Sequence, residues 1–204
     1  MNNPQPTAMT DDLTSPMQEA PRAPPSHDEP MPLKSRYVMI FGAITEELAY
    51  ATTRRLVALD VDRRAPINVF VCSPGGHLES GDTIHDVLRF IKSPVNMIGT
   101  GWVGSAATHL YLAIPRERRY CLPNTRFLIH QPSGGARGRA ADIALQAREI
   151  LRARERIART IAAQTRRSLQ AVLADIERDR WLAAEEAVAY GLVARIISRE
   201  TDLC

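Results

Sequence analysis

The chain has 204 residues, 45% of them hydrophobic and 24% charged, with a formal charge of +3. That suits one domain of ordinary size with a substantial apolar core, and it excludes a membrane-spanning helix of the usual kind, since no apolar run approaches ~20 residues. The charge is unevenly placed: residues 1–33 carry five acids (Asp11, Asp12, Glu19, Asp28, Glu29) against Arg22, so that stretch is −4 and the remainder +7.

Eight of the fourteen prolines fall before residue 33, among almost no aromatic or β-branched residues. Such a segment cannot bury enough surface to offset its ordering entropy, which predicts a disordered or removable tail over 1–33 and a folded domain over 34–204. The start lacks the basic and apolar regions of a secretory signal. Together with three cysteines, Cys72, Cys121 and Cys204, odd in number and without metal-ligand spacing, this points to the cytoplasm and calls for no metal. The basic surplus is mostly arginine on one predicted helix, interspersed with acids and without interleaved aromatics, which argues against a nucleic-acid groove.

In chain order, "RYVMIFG" (36–42) has the content of a short strand. "TEELAYATTRRLVALD" (45–60) begins on a capping threonine with acids in its first turn and places Leu48, Leu56 and Leu59 at helical spacing. "INVFVC" (67–72) is a continuous apolar run, read as a strand buried on both faces. "SGDTIHDVLRFIK" (80–92) puts Ile84, Val87, Leu88 and Ile91 on one helix face. The strand "VNMIGT" (95–100) leads to a helix over "AATHLYLAI" (106–114), then a strand "RFLIH" (126–130) and a glycine-rich link. From 140 to 164 a long helix carries Ile143, Ala147, Ile150, Leu151, Ile157 and Ile161 on one stripe. At 1.5 Å per residue it spans roughly 35 to 40 Å, more than a small domain needs, so it is predicted to pack on another subunit. Two shorter helices and "LVARIIS" (192–198) close the chain. The alternation of strand and helix predicts an α/β fold with a mostly parallel sheet.

In such sheets ligands bind where strands end and helices begin, because helix N-termini there offer unpaired N–H groups. Two junctions qualify. In "CSPGGH", Gly75 and Gly76 let the backbone approach a ligand and can aim N–H groups outward as an oxyanion trap. In "GWVGSA", Gly101 and Gly104 permit a sharp strand-to-helix turn with Ser105 at its apex, and the N–H of Ala106 can join the trap. A serine hydroxyl needs a base to take its proton, and the base needs orienting. His27 lies in the tail, and His77 and His85 sit beside or inside a helix. His109 is four residues after Ser105 on the same helix, a poor direction for catalysis. His130 closes a strand at the sheet end where the serine junction should lie, and is preferred. The orienting acid stays open among several; Asp179 in "IERDRW", beside arginines, is one.

"SPGG", then "GWVGSAA" with Ser105 29 residues beyond Gly76, "LPNTRFLIHQP" with His130 25 residues further, "GGARGRAADIALQAREILRARERI" and "IERDRWLAAEEAVAYGLVARI" together resemble the proteolytic subunit of the Clp protease, over about 36–198. The resemblance implies a crotonase-like α/β fold of repeated strand-strand-helix units with a protruding handle helix at 140–164. It implies a serine endopeptidase that cleaves unfolded polypeptides or peptides inside a chamber of stacked heptameric rings, fed by an AAA+ unfoldase, with no cofactor. By motif, Ser105 matches the nucleophile, His130 the base and Asp179 the third triad member. Gly76 and Ala106 match the oxyanion-hole residues, and Gln131 and Arg178 match positions that contact neighbouring subunits. The strand near Gly134 and Gly135 matches one beside the substrate.

The chain departs from the family pattern in three places. The proline-rich acidic tail stands where the family has an axial hairpin that touches the ATPase. Asn68 replaces an aromatic residue common in the ATPase docking pocket, while Phe70 and Phe90 remain. Trp102 and Gly104 change the surroundings of Ser105 and could alter the specificity pocket. Two alternatives follow: a weakly active or structural ring subunit that co-assembles with a paralogous peptidase, and an acyl-CoA enzyme of the wider crotonase fold.

Overall fold

The computed structural model describes residues 35–135 and 137–203. By its contacts the chain divides into Met1–Met31 and Pro32–Cys204, and the architecture below belongs to the second unit; the predicted tail lies outside the described residues. The elements follow as β1 (Tyr37–Phe41), α1 (Glu46–Asp62), β2 (Ile67–Ser73), α2 (Leu78–Phe90), β3 (Val95–Gly104), α3 (Ala106–Tyr111), β4 (Arg119–Cys121) and β5 (Arg126–Ile129). Then come α4 (Ala140–Thr165), α5 (Leu169–Asp175), β6 (Arg180–Leu182), α6 (Ala184–Tyr190) and β7 (Arg195–Ile196). No helix among the described residues is long and apolar enough to cross a membrane.

Local chemistry accounts for the first unit of this pattern. Thr45 caps α1, its hydroxyl accepting the Leu48 N–H at 3.2 Å, with Glu46 and Glu47 complementing the helix dipole. Leu56 and Leu59, fully buried, seat α1 on the sheet. The helix is tied at its far end by Asp60, which accepts the backbone N–H groups of Lys92 and Ser93 at 3.1 and 2.7 Å and so locks the turn that leads into β3.

One sheet contains all seven strands found among the described residues. Along β1-β2-β3-β4-β7 every pairing is parallel, as the strand-helix alternation predicts, and β5 also pairs parallel with β3; β6 alone runs antiparallel, on β5. The decisive strand is β3. Its first half, Met97 to Gly99, pairs with β4, and its second half, Trp102 to Gly104, pairs with β5. Between these halves stands Gly101 at φ +59, and the register with β2 slips between Val71 and Ser73. The sheet therefore forks, and the fork brings the end of β5, with β6 beside it, to the end of β3.

Several boundaries differ from the sequence expectation. β2 is not buried on both faces: Ile67, Val69, Val71 and Ser73 are buried, while Asn68, Phe70 and Cys72 are half-buried. On that second face Asn68 accepts from Asn96 at 2.9 Å, and Asn96 accepts from Arg118, a polar set that an apolar run conceals. β3 extends four residues past Thr100, because β5 supplies a partner there. α3 stops at Tyr111 rather than continuing to Ile114, its end tightened by Leu112 and Ala113 N–H bonds to carbonyls three residues back, ahead of Pro115. The stripe on α4 also divides. Ile157 and Ile161 are buried, whereas residues 141–149 and Leu151 are exposed, so only the C-terminal half of the helix lies on this chain's core.

Candidate active site

The turn between β3 and α3 holds Ser105 at φ 55 and ψ −124, a region that side-chain-bearing residues avoid. Such a conformation costs about 1–3 kcal/mol and persists only when its surroundings over-determine it. They do so here. Ser105 N–H donates to Leu128 O at 3.0 Å, and the Thr108 hydroxyl, one turn into α3, reaches both Val103 O at 2.9 Å and Leu128 O at 3.0 Å. Helix and strand ends are thereby stitched around the serine, which remains partly exposed.

The glycine turn after β2 packs directly on this one. A methyl at Gly75, itself at φ +94, would lie 2.7 Å from Gly104 O, 2.7 Å from Ser105 Cβ and 2.9 Å from Ala106 N. Only a glycine permits that approach. The Gly75 N–H is spent on Ser73 Oγ at 3.1 Å and the His77 N–H on Ile44 O at 2.9 Å, leaving the exposed Gly76 between them. Ala106, first residue of α3, has an N–H with no acceptor one turn back. The two residues whose amides the sequence singled out thus belong to adjoining turns.

His130 follows β5, and the antiparallel pairing of Ile129 with Arg180 puts Asp179 across from it. Their side chains meet: His130 Nδ1 lies 3.0 Å from Asp179 Oδ1. With the carboxylate ionised, Nδ1 carries the proton and Nε2 is left as the basic nitrogen. Ser105 and His130 terminate neighbouring parallel strands, Gly104 being paired with Leu128, but their side chains make no hydrogen bond in the single chain. Catalytic hydrogen bonds commonly tighten only with substrate bound.

Gln131 closes the arrangement. Its N–H donates to Ile176 O at 2.7 Å and its side chain to Glu177 O at 3.0 Å, which clasps the segment carrying Asp179 against the end of β5. Arg178 is exposed within the clasped segment. Trp102, marked in the sequence as a possible change to the specificity pocket, lies flat on Trp181 of β6, ring centroids 5.8 Å apart, with Arg126 stacked over Trp181. It pins β6 across β5 to β3.

The sequence reading did not find Ser73 and Thr108, which shape the two turns, or the intrachain role of Gln131. Hydroxyls this close to glycine turns were the available signal. Among the described residues no cluster of His, Cys, Asp and Glu could hold a metal.

The family model for Clp protease matches residues 29–200. The chain belongs to the Clp protease family. Among curated Clp protease relatives, "ATP-dependent Clp protease proteolytic subunit 3" of Rhizobium johnstonii is 55% identical over 170 residues, covering 83% of this chain and 88% of that protein. "ATP-dependent Clp protease proteolytic subunit 2" of Pseudomonas aeruginosa is 49% identical over 171 residues, covering 84% and 85%. Among solved Clp protease structures, ClpP1 from Listeria monocytogenes matches with a TM-score of 0.77 at 44% identity, covering 84% of this chain and 96% of that one. A point variant of the same protein matches with a TM-score of 0.80. The fold is accordingly that of the Clp proteolytic subunits, with α4 as the long handle helix, and the chain is a serine-type endopeptidase. The readings as a structural ring subunit or an acyl-CoA enzyme are not favoured.

Proposed function

We propose that Ser105 is the nucleophile of this Clp peptidase, His130 its general base and Asp179 the residue that orients the imidazole. Ser105 Oγ attacks the scissile peptide carbonyl while His130 Nε2 takes its proton; the tetrahedral oxyanion is met by the N–H groups of Gly76 and Ala106. His130 then gives the proton to the leaving amine, and water repeats the cycle on the acyl-enzyme. What chiefly supports this reading is the His130–Asp179 pair, 3.0 Å apart, at the end of the strand beside a serine held at φ 55.

We also propose the assembly. Stacked heptameric rings, in contact through α4, Gln131 and Arg178, would enclose the sites, and an AAA+ unfoldase would feed them polypeptide in the cytoplasm. The names of the relatives, ATP-dependent Clp protease subunits, support the ATPase. Residues 1–33 would be a tail or propeptide outside the peptidase domain of 34–204.

Replacing Ser105 by alanine tests the core of the proposal. Peptide turnover by the assembled protein is expected to fall at least about a thousandfold, and labelling by a fluorophosphonate to disappear. Turnover that survives in Ser105→Ala would overturn it.

A further inference from the structure

Between α2, α3 and α4 runs a chain of polar side chains that the proposed triad does not use. Arg156, on α4, donates from Nη2 to Asp82 Oδ2 of α2 at 2.5 Å. The other carboxylate oxygen, Oδ1, lies 3.0 Å from Nε2 of His109, which projects from α3 one turn after Ser105. His109 is only 4% exposed. Its ring stacks on His85 of α2, centroids 4.6 Å apart and planes 10° apart, and His85 Nδ1 lies 3.1 Å from Asp86.

The charges follow from the surroundings. Burial pushes the Asp82 carboxyl up, but the hydrogen bond with His109 and the charge of Arg156 outweigh it and hold the group below its usual value, so it is anionic at neutral pH. His109 Nε2 is then the donor, and its Nδ1 is buried without a hydrogen-bond partner. Burial lowers His85, against its hydrogen bond to Asp86, and the nearby His109 and Arg89 act in the same direction as burial. Apolar side chains would fill this interior at lower desolvation cost, since a partly buried ion pair repays its cost only where its geometry is good. Two of the bonds end on the carboxylate that joins the nucleophile's helix to α4.

We infer that Asp82 and His109 are positioning residues for the peptidase reaction, holding α3 at the rotation that keeps Ser105 in its strained pose. The inference rests on Ser105 being the nucleophile. A helix of six residues has almost no stability of its own. Its orientation is set by what its side chains grip: Thr108 grips the strand ends, and His109 grips Asp82, which Arg156 orients in turn. Loss of that second grip lets α3 roll, and a displacement of about 1 Å at a reacting atom is enough to cost about a hundredfold in rate.

The test uses the assembled full-length protein. His109→Phe keeps an aromatic ring against His85 but removes the donor to Asp82; His109→Gln supplies a donor again. His109→Phe is expected to slow acylation of Ser105 by a fluorophosphonate, and kcat on a short fluorogenic peptide, by about tenfold or more with KM unchanged, and His109→Gln to recover most of the rate. Arg156→Gln, at an exposed position, should lower kcat in the same direction by less, and add little to His109→Phe in the double variant. Wild-type acylation rates in both single variants overturn the inference, as does a His109→Gln protein as slow as His109→Phe. Should His109→Phe fail to assemble, Arg156→Gln decides alone, a wild-type kcat counting against the inference. The Ser105→Ala control separates the two failures: activity surviving there sinks the nucleophile, whereas an inactive Ser105→Ala with an unimpaired His109→Phe sinks only the positioning role.

Discussion

Asp60 sits near the C-terminal end of α1, where the helix dipole disfavours a negative charge, and it is nearly buried. It is tolerated because Arg64 pairs with it and the N–H groups of Lys92 and Ser93 donate to it. The bond with Arg64, and after it those from Ser93, hold its carboxyl far below the ordinary value, against the opposing effect of burial. A depressed folded-state pKa stabilises fully above the unfolded pKa, about 3.9, and the contribution drains away as pH falls below that toward the folded value. Asp60→Asn is expected to cost about 1–3 kcal/mol at pH 7 and clearly less at pH 3, measured by urea unfolding at both. A gap of equal size at the two pH values would assign the cost to packing instead. From the sequence, Asp60 was just the end of a helix; Arg64 is close by, but the N–H groups that donate to it lie 32 and 33 residues on.

At the scale of elements, the site is made by two turns pressed together. The β2–α2 turn and the β3–α3 turn touch through backbone, with Gly75 at the contact. Gly75→Ala would force apart the very residues proposed to carry the nucleophile and the trap, and φ +94 is itself unfavourable for alanine. Peptide turnover is expected to fall by about a hundredfold or more, with the oligomer still assembling; steady-state kinetics beside native mass measure both. The individual elements were legible because helix spacing and apolar runs are local signals, and Thr45, Leu56 and Leu59 behave as that spacing requires. The fork in β3 was not legible. Nothing in "VNMIGT" states that its strand will leave β4 for β5, since that depends on a partner 24 residues beyond the paired positions.

For the whole molecule, the exposed half of α4 is the informative feature. Ile143, Leu145 and Leu151 are 42%, 54% and 61% exposed, an apolar surface that a second subunit would cover. Arg152, Glu149, Arg159 and Glu155 pair along the same helix and stabilise it little, as exposed pairs do. Placing glutamate at both Ile143 and Leu151 is expected to leave the subunit folded while breaking the proposed stacked rings into smaller species, read by native mass spectrometry. Unchanged assembly would move the interface off this face.

Local spacing and turn chemistry were enough to place most helices and strands and the two glycine turns, but they missed β4 and β6, and the resemblance pointed to a strand near Gly134 and Gly135 where residues 130–135 have none. Ser105 and His130 stood out from their own stretches, whereas Asp179 entered the proposed triad only through the family resemblance. The sequence also contained His109, and could offer only its position relative to Ser105. Only the folded chain shows which strand β3 takes as partner in each half, which part of α4 is buried, and that His109 faces Asp82, which Arg156 also grips, instead of the proposed nucleophile Ser105. Each of those depends on groups far apart in the chain arriving at one place, where burial and charge act on them together.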